Sequence, residues 1–247
     1  MTQSYAMLAP LYDEIGMADF ARQNVPRMLD YAQRNDWLGR QITELGCGTG
    51  EGILTLSDSG YTVTGIDVAA EMLEVAQTKS STVEWIQEDI REMTDSIGQQ
   101  DLIMAVDVLN EMDNVRELQA IFTGVLERLR DGRLFMFDMY TIAGLTGRGT
   151  GGDSMMYDQN GVTMFVSNRY DYERQSSTRN HTTFVRDAAS GGWNRTDTSR
   201  VLRAYPLQAI ATLLQRTGFS SVTLLNEYFG KVEDPGSVDR VIFVATK

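Results

Sequence analysis

Seven consecutive residues, Glu44-Leu45-Gly46-Cys47-Gly48-Thr49-Gly50, set glycines at alternate positions between an apolar run and a helical pattern. Glycine lacks a Cβ, so this backbone can turn tightly and come close to a ligand. A dinucleotide-binding loop would continue as Gly-x-Gly-x-x-Gly, but counted from Gly46 and Gly48 the third glycine's place is held by Glu51. A carboxylate at a helix start repels a pyrophosphate and competes for the N–H groups that would hold it. The loop therefore suits a ligand that needs backbone contact and brings no phosphate, and a dinucleotide-dependent oxidoreductase is disfavoured. Three further acids, Asp67, Asp89 and Asp107, each follow an apolar run. Singly, each reads as a turn or capping residue; at the ends of successive strands they fall on one edge of a sheet. Cys47 has no histidine or second cysteine near it in sequence to activate it, and reads as a small filler rather than a nucleophile. His181, the single histidine, is of the type that serves as a general base near neutral pH. The alternation His181-Thr182-Thr183-Phe184-Val185 leaves open which way it faces, and a packing role is the simpler reading.

The elements that would position these residues follow from periodicity. Gln41–Leu45, Tyr61–Ile66, Val83–Ile86, Leu102–Val106 and Arg133–Phe137 are short apolar runs separated by helical patterns, the rhythm of a parallel sheet. Helices are expected over Phe20–Trp37, Gly50–Ser57, Ala69–Thr78 and Val115–Arg130, the last with apolar residues at helical spacing from Val115 to Leu129. Gly144, Gly147, Gly149, Gly151 and Gly152 then suggest a loop that opens an insertion. Val162–Arg174, Thr178–Asp187 and Trp193–Ala204 alternate in β fashion and predict a three-stranded antiparallel flap. A helix begins at Tyr205-Pro206-Leu207 and stops at Gly218, and two last strands cover Val222–Tyr228 and Arg240–Ala245. The fold class expected is α/β, a doubly wound, mostly parallel seven-stranded sheet with an antiparallel β insertion after strand 5. All of 1–247 reads as a single domain, with 1–37 as an N-terminal helical cap and 154–205 as a β flap over the active site.

Composition narrows the function. The 247 residues carry 22 basic and 34 acidic side chains, a net charge of -12 that opposes nucleic acid and anionic membranes as partners. One cysteine and one histidine leave little for a disulfide or a structural metal. Met1-Thr2-Gln3-Ser4-Tyr5 has neither a basic start nor an apolar run, and no stretch approaches the ~20 apolar residues of a membrane span, so a cytoplasmic location is expected. A homodimer is compatible with the sequence, which does not specify the oligomeric state.

The run Glu44 to Gly50 resembles the first motif of the class I S-adenosylmethionine-dependent methyltransferases, an acid followed by x-Gly-x-Gly-x-Gly. Gly65-Ile66-Asp67-Val68-Ala69-Ala70-Glu71-Met72-Leu73 is similar to the second motif, Gln87-Glu88-Asp89-Ile90 to the third, and Asp107-Val108-Leu109-Asn110 follows the fourth strand as in that family. The resemblance covers about residues 40 to 140. It implies S-adenosyl-L-methionine as cofactor, held by Glu44, Gly46, Cys47, Gly48, Gly50, Asp67, Val68, Met72, Asp89, Ile90 and Asp107, with Asp67 on the ribose hydroxyls and Asp89 near the adenine amino group. A carboxylate accepting two hydrogen bonds in a fork suits a vicinal diol. If the strand order is 3-2-1-4-5, strands 1 and 4 flank the point where an open α/β sheet binds its ligands. Leu11-Tyr12-Asp13 matches part of an N-terminal segment that folds over the cofactor in small-molecule members. Asn110 falls where relatives acting on amino sugars carry a polar residue. Tyr12, Asn110 and His181 are thus the candidates on the catalytic side.

The reading that follows is methyl transfer to N or O of a small-molecule acceptor. An unprotonated amine needs no base, whereas a hydroxyl would need one such as His181, Asp107 or Tyr140. Residues 154–205 hold seven arginines (Arg169, Arg174, Arg179, Arg186, Arg195, Arg200, Arg203) against five acids, a balance of +2 that leaves -14 on the remainder. The flap is therefore where a polar, anionic acceptor would escape net repulsion. The alternative is a non-catalytic adenosylmethionine-binding or scaffold protein.

Overall fold

In the computed structural model, which describes residues 2–93, 95–149 and 152–247, the five early apolar runs become parallel strands: β1 (Gln41–Leu45), β2 (Thr62–Asp67), β3 (Glu84–Gln87), β4 (Gln100–Ala105) and β5 (Leu129–Tyr140). The last part of the chain adds β10 (Ser221–Leu225) and β11 (Arg240–Thr246) antiparallel, giving the order β10-β11-β5-β4-β1-β2-β3. Order reverses between β1 and β4, the place where open α/β sheets bind ligands beyond their strands' carboxyl ends.

Helices cover both faces. On one side α5 (Val115–Arg128) and α7 (Leu207–Thr217) bury Phe122, Val125, Ile210 and Leu214 with Phe135, Phe137 and Phe243 of the sheet. On the other, α2 (Asp19–Arg34) sets Val25, Met28 and Leu29 against Ile42, Leu102 and Met104. The short helices α3 (Leu54–Asp58) and α4 (Ala70–Lys79) follow β1 and β2. The helix anticipated from Gly50 is thus confined to five residues, because turns occupy the stretch that precedes it. Asn114 caps α5 by accepting from the N–H groups of Arg116 and Glu117. At the N-terminus α1 (Thr2–Leu8) leads into the turn that carries Tyr12. Among the described residues no helix is long and apolar enough to cross a membrane.

Between β5 and α7 the chain builds a second sheet, antiparallel and ordered β6-β7-β8-β9, from β6 (Asp153–Gln159), β7 (Val162–Asp171), β8 (Ser176–Arg186) and β9 (Trp193–Arg203). It has four strands where patterning predicts three. β6 escapes because its residues are mostly exposed and lack the apolar alternation of a strand. The glycine-rich stretch also differs from the expected loop, since α6 (Ile142–Gly149) is helical. Two of its glycines serve close approach: a Cβ on Gly144 would lie 2.0 Å from the carbonyl oxygen of Asp239, and one on Gly149 would lie 2.5 Å from Cβ of Tyr170. Gly151 of that stretch, and Met1 of the N-terminal segment, lie outside the described residues.

Gly144→Ala is accordingly expected to lower stability by about 1–3 kcal/mol, the usual cost of overpacking. In Gly147→Ala the new Cβ meets open space and should raise stability slightly, since alanine is the better helix former. Urea midpoints of the two variants check both signs.

Candidate functional site

The turn after β1 reverses through Gly46 (φ +68°), Gly48 (φ +54°) and Gly50 (φ +80°), a left-handed series that side chains oppose. These turns leave bare backbone at the carboxyl edge of β1. The Asp67 carboxylate, at the end of β2, accepts the N–H of Gly48 (2.8 Å) and of Ala69 (2.9 Å). Burial pushes this carboxyl above the ordinary range, against the opposing pull of those N–H groups. A cavity of about 330 Å³ opens beside it, lined among others by Gly46, Cys47, Gly48, Asp67, Val68, Met72, Asp89 and Ile90. Asp89 caps the turn at Ile90 and pairs with its neighbour Arg91, which holds its carboxyl below the usual range. Tyr5 and Tyr12 close the cavity from the N-terminal segment, together with Met17, Ala18 and Ala21.

That segment is fastened at several points, among them Glu14, which accepts from Tyr157 of β6 and from Asn160 in the turn that follows. Asp13 accepts a 2.5 Å hydrogen bond from the Thr49 hydroxyl, and its other oxygen contacts the ammonium of Lys79, which also pairs with Glu51 at 2.8 Å. The Tyr5 hydroxyl donates to Glu111. Glu111 in turn is held by Arg200 of β9 (2.9 Å from Nε and 2.5 Å from Nη2), and the same guanidinium reaches Asp107 at 3.3 Å. Asp107 sits in a left-handed conformation (φ +58°) and also pairs with Arg240 of β11 at 2.6 Å. Arg240 is sandwiched between the rings of Phe20 (3.6 Å) and Tyr140 (3.7 Å) and contacts Asp138 at 3.0 Å. The two arginines hold the Asp107 carboxyl below its usual range despite burial, whereas burial lifts Asp138 to about 6. Burial also raises the phenols of Tyr5 and Tyr12, so both stay protonated.

Of the residues expected from sequence, Gly46, Cys47, Gly48, Asp67, Val68, Met72, Asp89, Ile90, Asp107 and Tyr12 line this cavity. Glu44 and Gly50 do not. Glu44 is 1% exposed beneath the loop, where an added Cβ on Gly52 would lie 2.8 Å from its carboxylate, and a Cβ on Gly50 would strike the Trp85 ring at 2.3 Å. Asn110 turns away from the cavity: its amide donates to the carbonyls of Arg203 (2.8 Å) and Tyr140 (3.3 Å), and its oxygen accepts the N–H of Tyr140. All its hydrogen-bonding groups knit β5 to β9. His181 lies on β8, 1% exposed, outside the cavity wall. Burial, then the charges of Arg179 and Arg200, depress its imidazole to about 3, which keeps it neutral. Glu111, which sequence alone places at the start of α5, instead faces the cavity, and its partner Arg200 is 89 residues away. No local signal announces that pair.

Residues 42–132 match the family model described as a methyltransferase domain. The YqeM protein of Bacillus subtilis (strain 168), whose name carries methyltransferase as an inferred activity, is 26% identical over 258 residues, spanning 98% of this chain and 97% of its own. Among solved structures, an S-adenosylmethionine-dependent methyltransferase from Clostridium acetobutylicum ATCC 824 superposes with a TM-score of 0.82 at 22% identity, covering 98% of both chains. CalS10 of Micromonospora echinaspora, an amino pentose methyltransferase solved with S-adenosylmethionine bound, gives 0.72 at 17% identity, covering 92% of this chain and 91% of its own. The chain therefore carries a methyltransferase domain, on the fold shared with these solved S-adenosylmethionine-dependent methyltransferases.

Glu44 makes a signed prediction. Burial, then the charge of Asp67, raises its carboxyl from 4.5 to about 8. A carboxyl raised on folding adds stability that is whole below its unfolded value and is lost as pH rises through the folded one. The protein should therefore lose stability between pH 4.5 and about 8, and Glu44→Gln should flatten that loss in urea titrations across the range.

Proposed function

We propose that this chain is a class I S-adenosylmethionine-dependent methyltransferase that acts in the cytoplasm on an amine nitrogen or a hydroxyl oxygen of a polar, anionic small molecule. The chain acts as one domain, with 1–37 as its helical cap and 154–205 as the flap over the acceptor. One observation carries the reading: a single cavity is lined by the bare glycine backbone and Asp67 together with Tyr5, Tyr12 and Glu111. Gly46, Cys47 and Gly48 offer backbone, Asp67 takes the ribose hydroxyls, and Val68, Met72 and Ile90 give the adenine an apolar slot beside Asp89. The fit is supported at Gly48, where an added Cβ would point into the cavity with only the Tyr12 ring within 4.0 Å.

S-adenosylmethionine, when bound, supplies a methyl carbon already made electrophilic by its sulfonium. The protein's share is to align the acceptor and exclude water. The carboxylates nearest the acceptor side are already engaged, Asp107 with Arg200 and Arg240, and Glu111 with Arg200 and Tyr5. The phenols of Tyr5 and Tyr12 are held protonated. Such groups orient an acceptor rather than deprotonate it, which favours an amine that arrives neutral, in keeping with the amino pentose named for CalS10. His181, held neutral and off the cavity wall, is not a base in this reading. Four flap arginines are paired: Arg174 with Asp171, Arg195 with Asp197, Arg203 with Asp113, and Arg200 with Asp107 and Glu111.

Asp67→Ala should weaken S-adenosylmethionine binding by about 1.5–3 kcal/mol, the worth of hydrogen bonds to a charged group, as read by calorimetry on folded protein. Unchanged affinity removes Asp67 from the site. Gly48→Val should block binding, since the branch enters both a left-handed turn and the cavity. His181→Asn should lower kcat by less than about tenfold on an acceptor panel; a loss beyond about a hundredfold, the range of a general base, with cofactor affinity unchanged, would make His181 that base and the acceptor a hydroxyl.

A further inference from the structure

One face of the antiparallel sheet is turned towards the main sheet, and strand registry arranges its side chains in rows. Met164, Thr183 and Thr196 form one row, Val166, His181 and Thr198 the next, Asn168, Arg179 and Arg200 the third, and Tyr170, Ser177 and Leu202 the fourth. The ends of this face have ordinary partners. Met164 packs with Leu8 and Ile15, and Leu202 and Tyr170 pack with Tyr140 and Leu145. The middle does not. The hydroxyls of Thr183, Thr198 and Tyr170, both ring nitrogens of His181 and Nε of Arg179 are buried without a hydrogen-bond partner among the described residues. His181 and Thr183 are 1% exposed and Thr198 6%.

Buried polar groups are nearly always satisfied, and an orphan is costly because its hydration is lost with nothing in exchange. Five orphaned side chains in adjacent rows of one sheet face therefore mark a surface whose hydrogen bonds are completed from outside the chain. The two arginines of the third row show what should complete them. Arg200 is saturated by Asp107 and Glu111. Among the described residues Arg179 donates only to the thioether of Met156, at 3.6 Å, and feels the charge of Arg200 beside it. A half-buried guanidinium with a like charge next to it and no carboxylate bonded to it calls for an anion. His181 is neutral, so its ring offers one donor and one acceptor.

We propose that this strip is the acceptor's recognition subsite: a carboxylate or phosphate of the acceptor seats against Arg179 and the imidazole N–H of His181, while the hydroxyls of Thr183 and Thr198 bond neighbouring polar groups of the same molecule. The subsite gives a place to the anionic group in the function proposed above, and it rests on that reading.

The chain's single histidine makes the test direct, because isotope-labelled histidine yields the imidazole signals of one residue. Inorganic phosphate, and separately malonate, is titrated into the full-length protein saturated with S-adenosylhomocysteine. At least one anion should shift the His181 signals saturably. Arg179→Met should weaken that binding by about tenfold or more, as expected for the loss of a charge-assisted hydrogen bond. Thr198→Val, nearly isosteric, should weaken it less and keep the fold. Calorimetry on the same samples should show parental affinity for S-adenosylhomocysteine. No saturable shift with either anion, or parental anion affinity in Arg179→Met, overturns the subsite. Failure of the parent to bind S-adenosylhomocysteine overturns instead the cofactor reading on which the subsite stands.

Discussion

A guanidinium buried between two carboxylates joins the two sheets of this protein. Arg200 enters from β9, and Glu111 and Asp107 stand in the loop that leaves β4. Neither side tolerates separation, because removing one partner from a buried ion pair strands the other charge, at about 3–5 kcal/mol. The contact also reaches the cavity on both sides. Glu111 receives the Tyr5 hydroxyl of the N-terminal segment, and Asp107 receives Arg240 of β11. The second sheet, the first helix and the penultimate connection of the main sheet are thereby referred to one pair of carboxylates at the edge where β4 ends. Their geometry is fixed by opposite charges within hydrogen-bonding distance, a stricter constraint than apolar packing.

This arrangement explains which parts of the molecule could be read from the chain. Strand order in the main sheet was legible because each of the five runs is short, apolar and followed by a helix, and because connections between parallel strands follow few routes. The glycine turn was legible for a similar reason: its constraint is local, and the residues that need no Cβ lie within seven positions. Arg200 and Glu111 are 89 residues apart, and each belongs to a segment with an adequate local reading, an alternating strand and a helix start. Asn110 shows the same failure in reverse. Its place beside a predicted strand end suggested an acceptor contact, yet the backbone groups that engage it come from Tyr140 and Arg203, on strands that meet only in the folded chain. Glycine misled at α6, where density of that residue implied a free loop. There the absence of side chains lets a helix lie against the backbone of Asp239 and Tyr170.

Glu44 joins two scales of argument. As the first residue of the glycine motif it was expected to touch the cofactor, but it lies buried under the turn and raised to about 8. A neutral carboxyl there can support the loop without adding a second negative charge close to Asp67. That leaves Asp67 free to bear the charge that its two backbone donors favour.

The N-terminal segment sits across the cavity, pinned by Asp13 to Thr49 and Lys79 and by Tyr5 to Glu111. A ligand in the cavity lies against Tyr5, Tyr12 and Met17 of that segment. A dissociation constant for this pocket includes the ordering of that segment: it is the intrinsic constant divided by the fraction of molecules in which the segment is in place. Salt weakens the Lys79 pairs through screening and thereby changes that fraction without altering any contact between ligand and glycine loop. Affinity and residence time in this protein are, to that extent, properties of its first eighteen residues.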